Sequence, residues 1–352
     1  MSQARSGASY AIVAALLFGA STPAAQALLT GVPALSPWLM AGILYFGSGA
    51  GLALFMGVRN ALGERQETPL GRHDLPWLLG ATLAGGALAP VLLLEGLSRM
   101  APGTASLLLN LEGVFTAGLA WFAFHEAFDR RIFLGMVLIL AGGAALSMGG
   151  GQGGTRLGAA LVAGACLCWA LDNNLTRRIS GSDPVQIAMI KGLAAGASNI
   201  LLATVLLHER ARIGQWAAGG TVGFLGYGLS LACFVLALRQ IGAARTGAYF
   251  SLAPFVGAAL ALAAGRESLS VQLAAAALLM GAGVWLHLTE HHEHRHVHEP
   301  MEHDQLHWHD EHHQHAHAEG DPPGEPHAHP HRHGRLVHSH AHFPDLHHPH
   351  RH

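Results

Sequence analysis

Between residues 8 and 288 the chain is a succession of apolar runs, each close to the ~20 residues needed to cross a bilayer core. In hydrocarbon every backbone N–H and C=O needs a partner inside the protein, so these runs are expected to be helices. Ten spans can be drawn, at 8–29, 36–58, 75–97, 103–124, 132–148, 157–175, 184–207, 216–238, 246–264 and 271–288. Composition agrees, since 51% of the residues are hydrophobic and 12% charged, against about 25% charged in soluble domains. The 45 glycines suit close helix packing in lipid. A formal net charge of −2 gives nucleic acid no purchase. Before the first apolar run only Arg5 is charged and no small-residue cleavage site follows, so that run reads as a first membrane helix, not a signal peptide. Cys166, Cys168 and Cys233 all lie in apolar runs and form no disulfide framework.

The spans are not independent. Leu111 begins LEGVFTAGLAWFAFHEAFDRRIFLGMVLILAGGA, and 141 residues later Leu252 begins LAPFVGAALALAAGRESLSVQLAAAALLMGAGVW, without a gap. In each copy an apolar span runs into a charged knot, His125-Glu126 or Arg266-Glu267, and a second span follows with Gly142 or Gly283 near its end. A period this long is not that of a solenoid and points to a transporter built from duplicated halves. The expected domains are a first five-helix repeat over 1–148, a glycine-rich linker over 149–156, a second five-helix repeat over 157–289 and a tail over 290–352. Five spans per half is an odd number, so the second half enters the membrane from the opposite side and the repeat is inverted. With the N-terminus in the cytoplasm, about twice as many arginines fall in inside loops as in outside loops, which places both termini in the cytoplasm.

The pattern of an apolar span, a glutamate knot and an apolar span ending in Ala-Gly resembles the EamA-type permeases of the drug/metabolite transporter superfamily. The likeness is carried by Leu111–Gly143, Tyr249–Gly283, Trp169 to Arg178 and Leu236-Ala-Leu-Arg239, and it covers nearly all of 1–289 but none of the tail. It implies movement of small metabolites, amino acids or, in some members, divalent metals, mostly outward. A histidine-rich C-terminal extension is similar to that of nickel- and cobalt-resistance members. One departure is Gly113, where such permeases often carry proline, as Pro254 does in the second half. Here the first half reads Leu-Glu-Gly and places Glu112 in the membrane.

A charge at the bilayer centre costs about 2.5–3.5 kcal/mol on insertion scales, so each one requires a cavity or a partner. The candidates for the transport path are Glu95, Glu112, Asp172, Asn173, Asn174 and Lys191. Glu112 is deepest and reads as a cation or proton site, the alternative being a structural hydrogen bond. Glu95 is about two residues from the end of its span and could equally reach the interface. Three consecutive side chains on a helix point in three directions, so at most two of Asp172, Asn173 and Asn174 face a cavity. Lys191 is expected to pair with Asp172, or else to bind a carboxylate-bearing substrate. Glu126 and Glu267 read as structural anchors. Prolines 23, 90 and 254 interrupt spans and can free carbonyls toward a cavity.

From His291 to His352 the tail holds 23 of the 27 histidines among ten acidic residues and four arginines, without cysteine. This composition cannot bury a core and is expected to be disordered when free. Imidazole without thiolate suits nickel, cobalt or zinc. The metal-ligand candidates are His291, His292, His294, His296, His298, His327, His329, His331 and His333. A pH-responsive or solubilising tail is the alternative.

The reading is therefore an all-α membrane protein of ten helices in two inverted repeats with a histidine-rich tail. The expected function is cytoplasmic-membrane efflux of nickel or cobalt by proton exchange, the tail collecting metal. The alternatives are an exporter of small organic metabolites or amino acids, and a membrane-anchored metal buffer or sensor. No enzymatic constellation is present in the sequence and no cofactor is required. The partners are lipid, the transported ion or solute, and a second copy of the chain.

Overall fold

The computed structural model describes residues 2–31, 34–62, 69–124, 130–148, 153–179, 182–288, 292–298, 301–307, 327–333 and 336–342. Described secondary structure up to residue 288 is helical. The helices are α1 (Ser2–Leu29), α2 (Pro37–Ala61), α3 (Leu75–Ala81), α4 (Ala89–Leu97), α5 (Pro102–Leu108), α6 (Leu111–Phe124), α7 (Arg130–Met148), α8 (Gly153–Arg177), α9 (Pro184–Leu201), α10 (Ile213–Gly223), α11 (Ser230–Phe250), α12 (Ala253–Ala263) and α13 (Val271–Leu288). Wider π-type turns at Thr82–Leu88, Leu202–Leu206 and Phe224–Leu229 join or extend them.

Five helical stretches are long and apolar enough to cross a membrane: Gly7–Leu29, Pro37–Ala61, Arg72–Leu97, Val185–Leu206 and Ile213–Ala237. Phe133–Ser147, Ala253–Ala263 and Val271–Leu286 are apolar but shorter. The span drawn over 103–124 is not one rod, because the helix breaks at Leu109–Asn110 between α5 and α6. The one drawn over 246–264 breaks at Ser251–Leu252. Leu54, Leu79, Phe122, Leu278 and Trp285 are exposed, which in lipid leaves no apolar surface facing water.

Helix starts follow from local sequence. Ser36 accepts a hydrogen bond from the Leu39 N–H ahead of Pro37, and Asp183 accepts from Val185 and Gln186 ahead of Pro184. Both are N-caps with proline in the first helical turn, whose missing donor is harmless there. Asp183 also forms a 2.5 Å ion pair with Arg59, tying the end of α2 to the start of α9.

The helices pack α2 on α9, α7 on α13, α1 on α11 and α12, and α8 on α4 and α6. Exchanging the two halves maps this set of contacts onto itself. Two of the three π-type turns obey the same exchange. The Ala89 N–H bonds Ala84 O, and 141 residues on the Ser230 N–H bonds Leu225 O.

In the tail, β1 (His292–His298) pairs antiparallel with β4 (Leu336–His342), and β2 (Met301–His307) with β3 (His327–His333). His292 faces His342 and Met301 faces His333, so one register serves both ladders. Histidine at every second position of β1 and β3 has the period of a strand.

Candidate functional site

At the centre of the helical part is a cavity of about 540 Å3. Helices from both halves line it: Phe18 of α1, Tyr45 and Ser48 of α2, Glu112 and Thr116 of α6, Trp169, Asp172 and Asn173 of α8, Lys191 and Gly192 of α9, and Tyr227, Phe234 and Phe250 around α11.

Glu112 owes its place to the break before α6. It lies in the first turn of that helix, where unpaired N–H groups and the helix dipole favour an anion. The break forms without proline. Leu107 O accepts both the Asn110 N–H at 3.1 Å and the Asn110 side-chain amide at 2.9 Å, which holds the turn closed. Glu112 Oε1 accepts a 2.8 Å hydrogen bond from Asn173 Nδ2, which links α6 to α8.

Asp172 is turned to another side of α8. Its Oδ1 meets Lys191 Nζ at 2.5 Å and accepts from Thr176 Oγ1 at 2.8 Å. The two charges are nearly buried and cancel. Gly85 makes room for this pair, since a Cβ there would stand 1.9 Å from Asp172 Oδ2.

Pro90 supplies the reason for a further contact. In the π-type turn Gly85 O would accept from residue 90, but proline has no N–H. The orphaned carbonyl instead accepts from Tyr45 Oη at 2.9 Å and Trp169 Nε1 at 3.0 Å, so a backbone defect orients two rings of the cavity wall.

Three sequence candidates lie elsewhere. Asn174, nearly buried, donates to Ala170 O at 2.8 Å on its own helix and to Thr116 O at 3.4 Å, holding α8 against α6 behind the cavity. Glu95 does not reach the cavity; Arg99, four positions on, pairs with it at the end of α4. Glu267 accepts from both the N–H and the hydroxyl of Thr104, anchoring the start of α5. Glu126 and His291 lie outside the described residues. His292, His294, His296 and His298 occupy β1, and His327, His329, His331 and His333 occupy β3. Among the described residues no group of three His, Cys, Asp or Glu side chains could hold a metal ion.

Charge-based reasoning missed the rings. Their signal was an aromatic beside a small residue within an apolar run, as in Phe18-Gly19, Trp169-Ala170 and Gly226-Tyr227-Gly228.

The sequence profile of the EamA-like transporter family matches this chain twice, over residues 5–148 and 156–289. The chain belongs to the EamA-like transporter family. A relative described as an uncharacterized transporter, from Methanothermobacter thermautotrophicus, is 30% identical over 239 residues, covering 65% of this chain and 69% of that one. A solved crystal structure superposes with a TM-score of 0.57 at 22% identity, covering 80% of this transporter and 97% of that chain, a likeness of fold alone. Membership makes this a multi-pass membrane transporter. Each profile match takes in one copy of the sequence repeat, so the cavity lies where the two copies meet.

Proposed function

We propose that the transporter exports a small organic solute through the central cavity. One observation carries this reading: the cavity combines a single carboxylate without a cationic partner among the described residues with a wall of aromatic rings. Two inverted five-span halves, each with its broken helix, would rock about the site, with both termini in the cytoplasm of a cell bounded by this membrane. Glu112 is the group to exchange a proton for the solute. The matching breaks, the matching π-type turns and the exchange-symmetric helix contacts support the inverted arrangement.

A second reading, efflux of nickel or cobalt, is favoured by the tail with its 23 histidines. The β1–β4 register places His292, His294 and His296 opposite His342, His340 and His338. Such a tail would raise the local metal concentration at a pore mouth. The cavity fits that cargo less well, because Asp172 is committed to Lys191 and imidazole and thiolate are absent from its described lining.

Flux through vesicles carrying the full chain separates the readings. Thr116→Trp fills the cavity and should stop organic-solute flux, while deletion of 291–352 should leave it unchanged. Nickel flux that survives Thr116→Trp and falls with the deletion, with no organic flux in the unaltered protein, would overturn the first reading in favour of a metal route.

A further inference from the structure

We infer that the cavity selects a singly charged organic cation, an aromatic or apolar body carrying one ammonium group. The inference rests on the reading of the cavity as an organic-solute site and names its substrate class.

Charge balance comes first. Two carboxylates, Glu112 and Asp172, and one ammonium group, Lys191, line the space. Asp172 and Lys191 lie 2.5 Å apart and neutralise each other, with Thr176 Oγ1 completing the cluster 3.3 Å from Lys191 Nζ. Glu112 remains. Its described hydrogen-bond partner is the neutral amide of Asn173, and among the described residues no Lys, Arg or His forms an ion pair with it. An anion away from bulk water interacts strongly with any cation that enters, because screening is weak there. Among the described residues no such cation is paired with it; a substrate can supply one.

Shape and surface come next. Tyr45 and Tyr227 have ring centroids 5.6 Å apart, Tyr227 and Phe18 5.6 Å, Phe18 and Phe250 5.4 Å, and Phe250 and Phe234 4.9 Å. Five rings are thus in unbroken contact along one wall. Trp169 adds a sixth, pinned through Nε1 to Gly85 O. Ring faces attract an ammonium group and stack an apolar body. A volume of about 540 Å3 suits one small molecule.

The same features exclude the competitors. A carboxylate would need Lys191, which is held by Asp172 and Thr176. A divalent metal would need more than one anionic ligand, and Glu112 is the one carboxylate of the described lining not already paired with a cation. A neutral solute brings no charge with which to displace the proton that Glu112 exchanges. An amino-acid zwitterion gains at its ammonium end and loses at its carboxylate beside Glu112.

The test uses the purified full chain and four probes of nearly one shape: phenethylamine, its permanently charged trimethylammonium analogue, 2-phenylethanol and free L-phenylalanine. Nickel ion serves as a fifth probe. Affinity is read by equilibrium dialysis and movement by counterflow in proteoliposomes. Both amines should bind at least about tenfold tighter than the alcohol and the zwitterion, the scale of one desolvated cation contact. In Glu112→Gln the amine-to-alcohol ratio should fall to near one. That ratio is taken within one preparation, so partial unfolding of the variant does not move it. Tyr227→Leu, which detaches Tyr45 from the rest of the ring chain, should lower the same ratio severalfold.

Alcohol or zwitterion binding as tight as the amines, or a ratio unmoved by Glu112→Gln, overturns the selectivity while leaving the organic-solute reading in place. Nickel movement with none of the four organic probes bound overturns both.

Discussion

Position for position, 141 residues apart, the break after Asn110 leads into Leu-Glu-Gly and the break after Ser251 into Leu-Ala-Pro. The backbone does the same thing twice while the side chains do not. Where the first half has Glu112 facing the cavity, the second has Ala253, 1% exposed, whose carbonyl is so close to α1 that a Cβ on Gly19 would stand 2.4 Å from it. The π-type turns repeat, yet position 90 is proline and its counterpart 231 is leucine, which retains an N–H. Only the first turn therefore orphans Gly85 O and attracts Tyr45 and Trp169. Counted from the N-caps Ser36 and Asp183, Leu44 stands where Lys191 stands. Duplication has supplied a scaffold with paired weak points, and later substitution has given the two copies different chemistry at them.

The corners differ too. In the first half the chain leaves helix at Ser98–Ala101 and restarts at Pro102. The counterpart of Pro102 is Ala243, and helical hydrogen bonding persists through residues 239–245, drawn from sequence as a loop. The chain still reverses there. A straight helix would separate Phe234 and Phe250 by about 24 Å, whereas their rings lie 4.9 Å apart.

The largest expected effect breaks the second half's contribution. Asp172→Asn or Lys191→Met alone leaves a nearly buried charge without its partner and should cost about 3–5 kcal/mol. Thermal unfolding in detergent would show it, and the double variant should recover most of the loss. Equal losses in the single and double variants would mean the pair is not coupled.

Next comes the first half's contribution. Glu112→Gln should reduce cation flux at least about tenfold. Moving the carboxylate to the equivalent position, with Ala253→Glu added, should not restore flux. It should also lower stability by about 2.5–3.5 kcal/mol, because that position meets α1 and not the cavity. Restored flux would show that the halves are interchangeable at the site.

Much of this asymmetry was visible in the sequence and some was not. The duplication, the Leu-Glu-Gly departure and Glu112 were readable because a charge in an apolar run has few places to go. The choice between Asp172, Asn173 and Asn174 was not, because adjacent residues on a helix differ by about 100° in direction and only packing fixes which one meets the cavity. Glu95 misled for a related reason: its depth was counted from a span end, while Arg99 one turn on decides where the carboxylate goes. The ring chain was out of reach, since Phe18 and Phe250 are brought together by tertiary packing alone.

A smaller effect tests the packing beneath the pair. Gly85→Ala would place a methyl 1.9 Å from Asp172 Oδ2 and should cost about 1–3 kcal/mol while weakening the Asp172–Lys191 contact. Gly113→Ala is the control, because no atom lies within 4 Å of the added Cβ. A Gly113→Ala loss as large as that of Gly85→Ala would mean that the helix start, not the close approach, sets the cost.

The smallest effect addresses the one residue by which the two breaks differ most plainly. Gly113→Pro gives the first half the proline of the second, and Pro254→Gly does the reverse. Position 113 lies in the first turn of α6, where several N–H groups have no intrahelical acceptor, so the ring should be accepted at a cost under about 1 kcal/mol. Proline also disfavours helical geometry in the residue before it, here Glu112, and moves that residue toward an extended backbone. Stability should therefore barely change while flux falls severalfold, because the carboxylate is re-aimed without being removed. Pro254→Gly should leave flux unchanged, since Ala253 before it contributes no side chain to the cavity lining. Equal flux losses from the two substitutions would mean that the breaks act as matched hinges, and that the carboxylate's aim is not what the glycine at 113 protects.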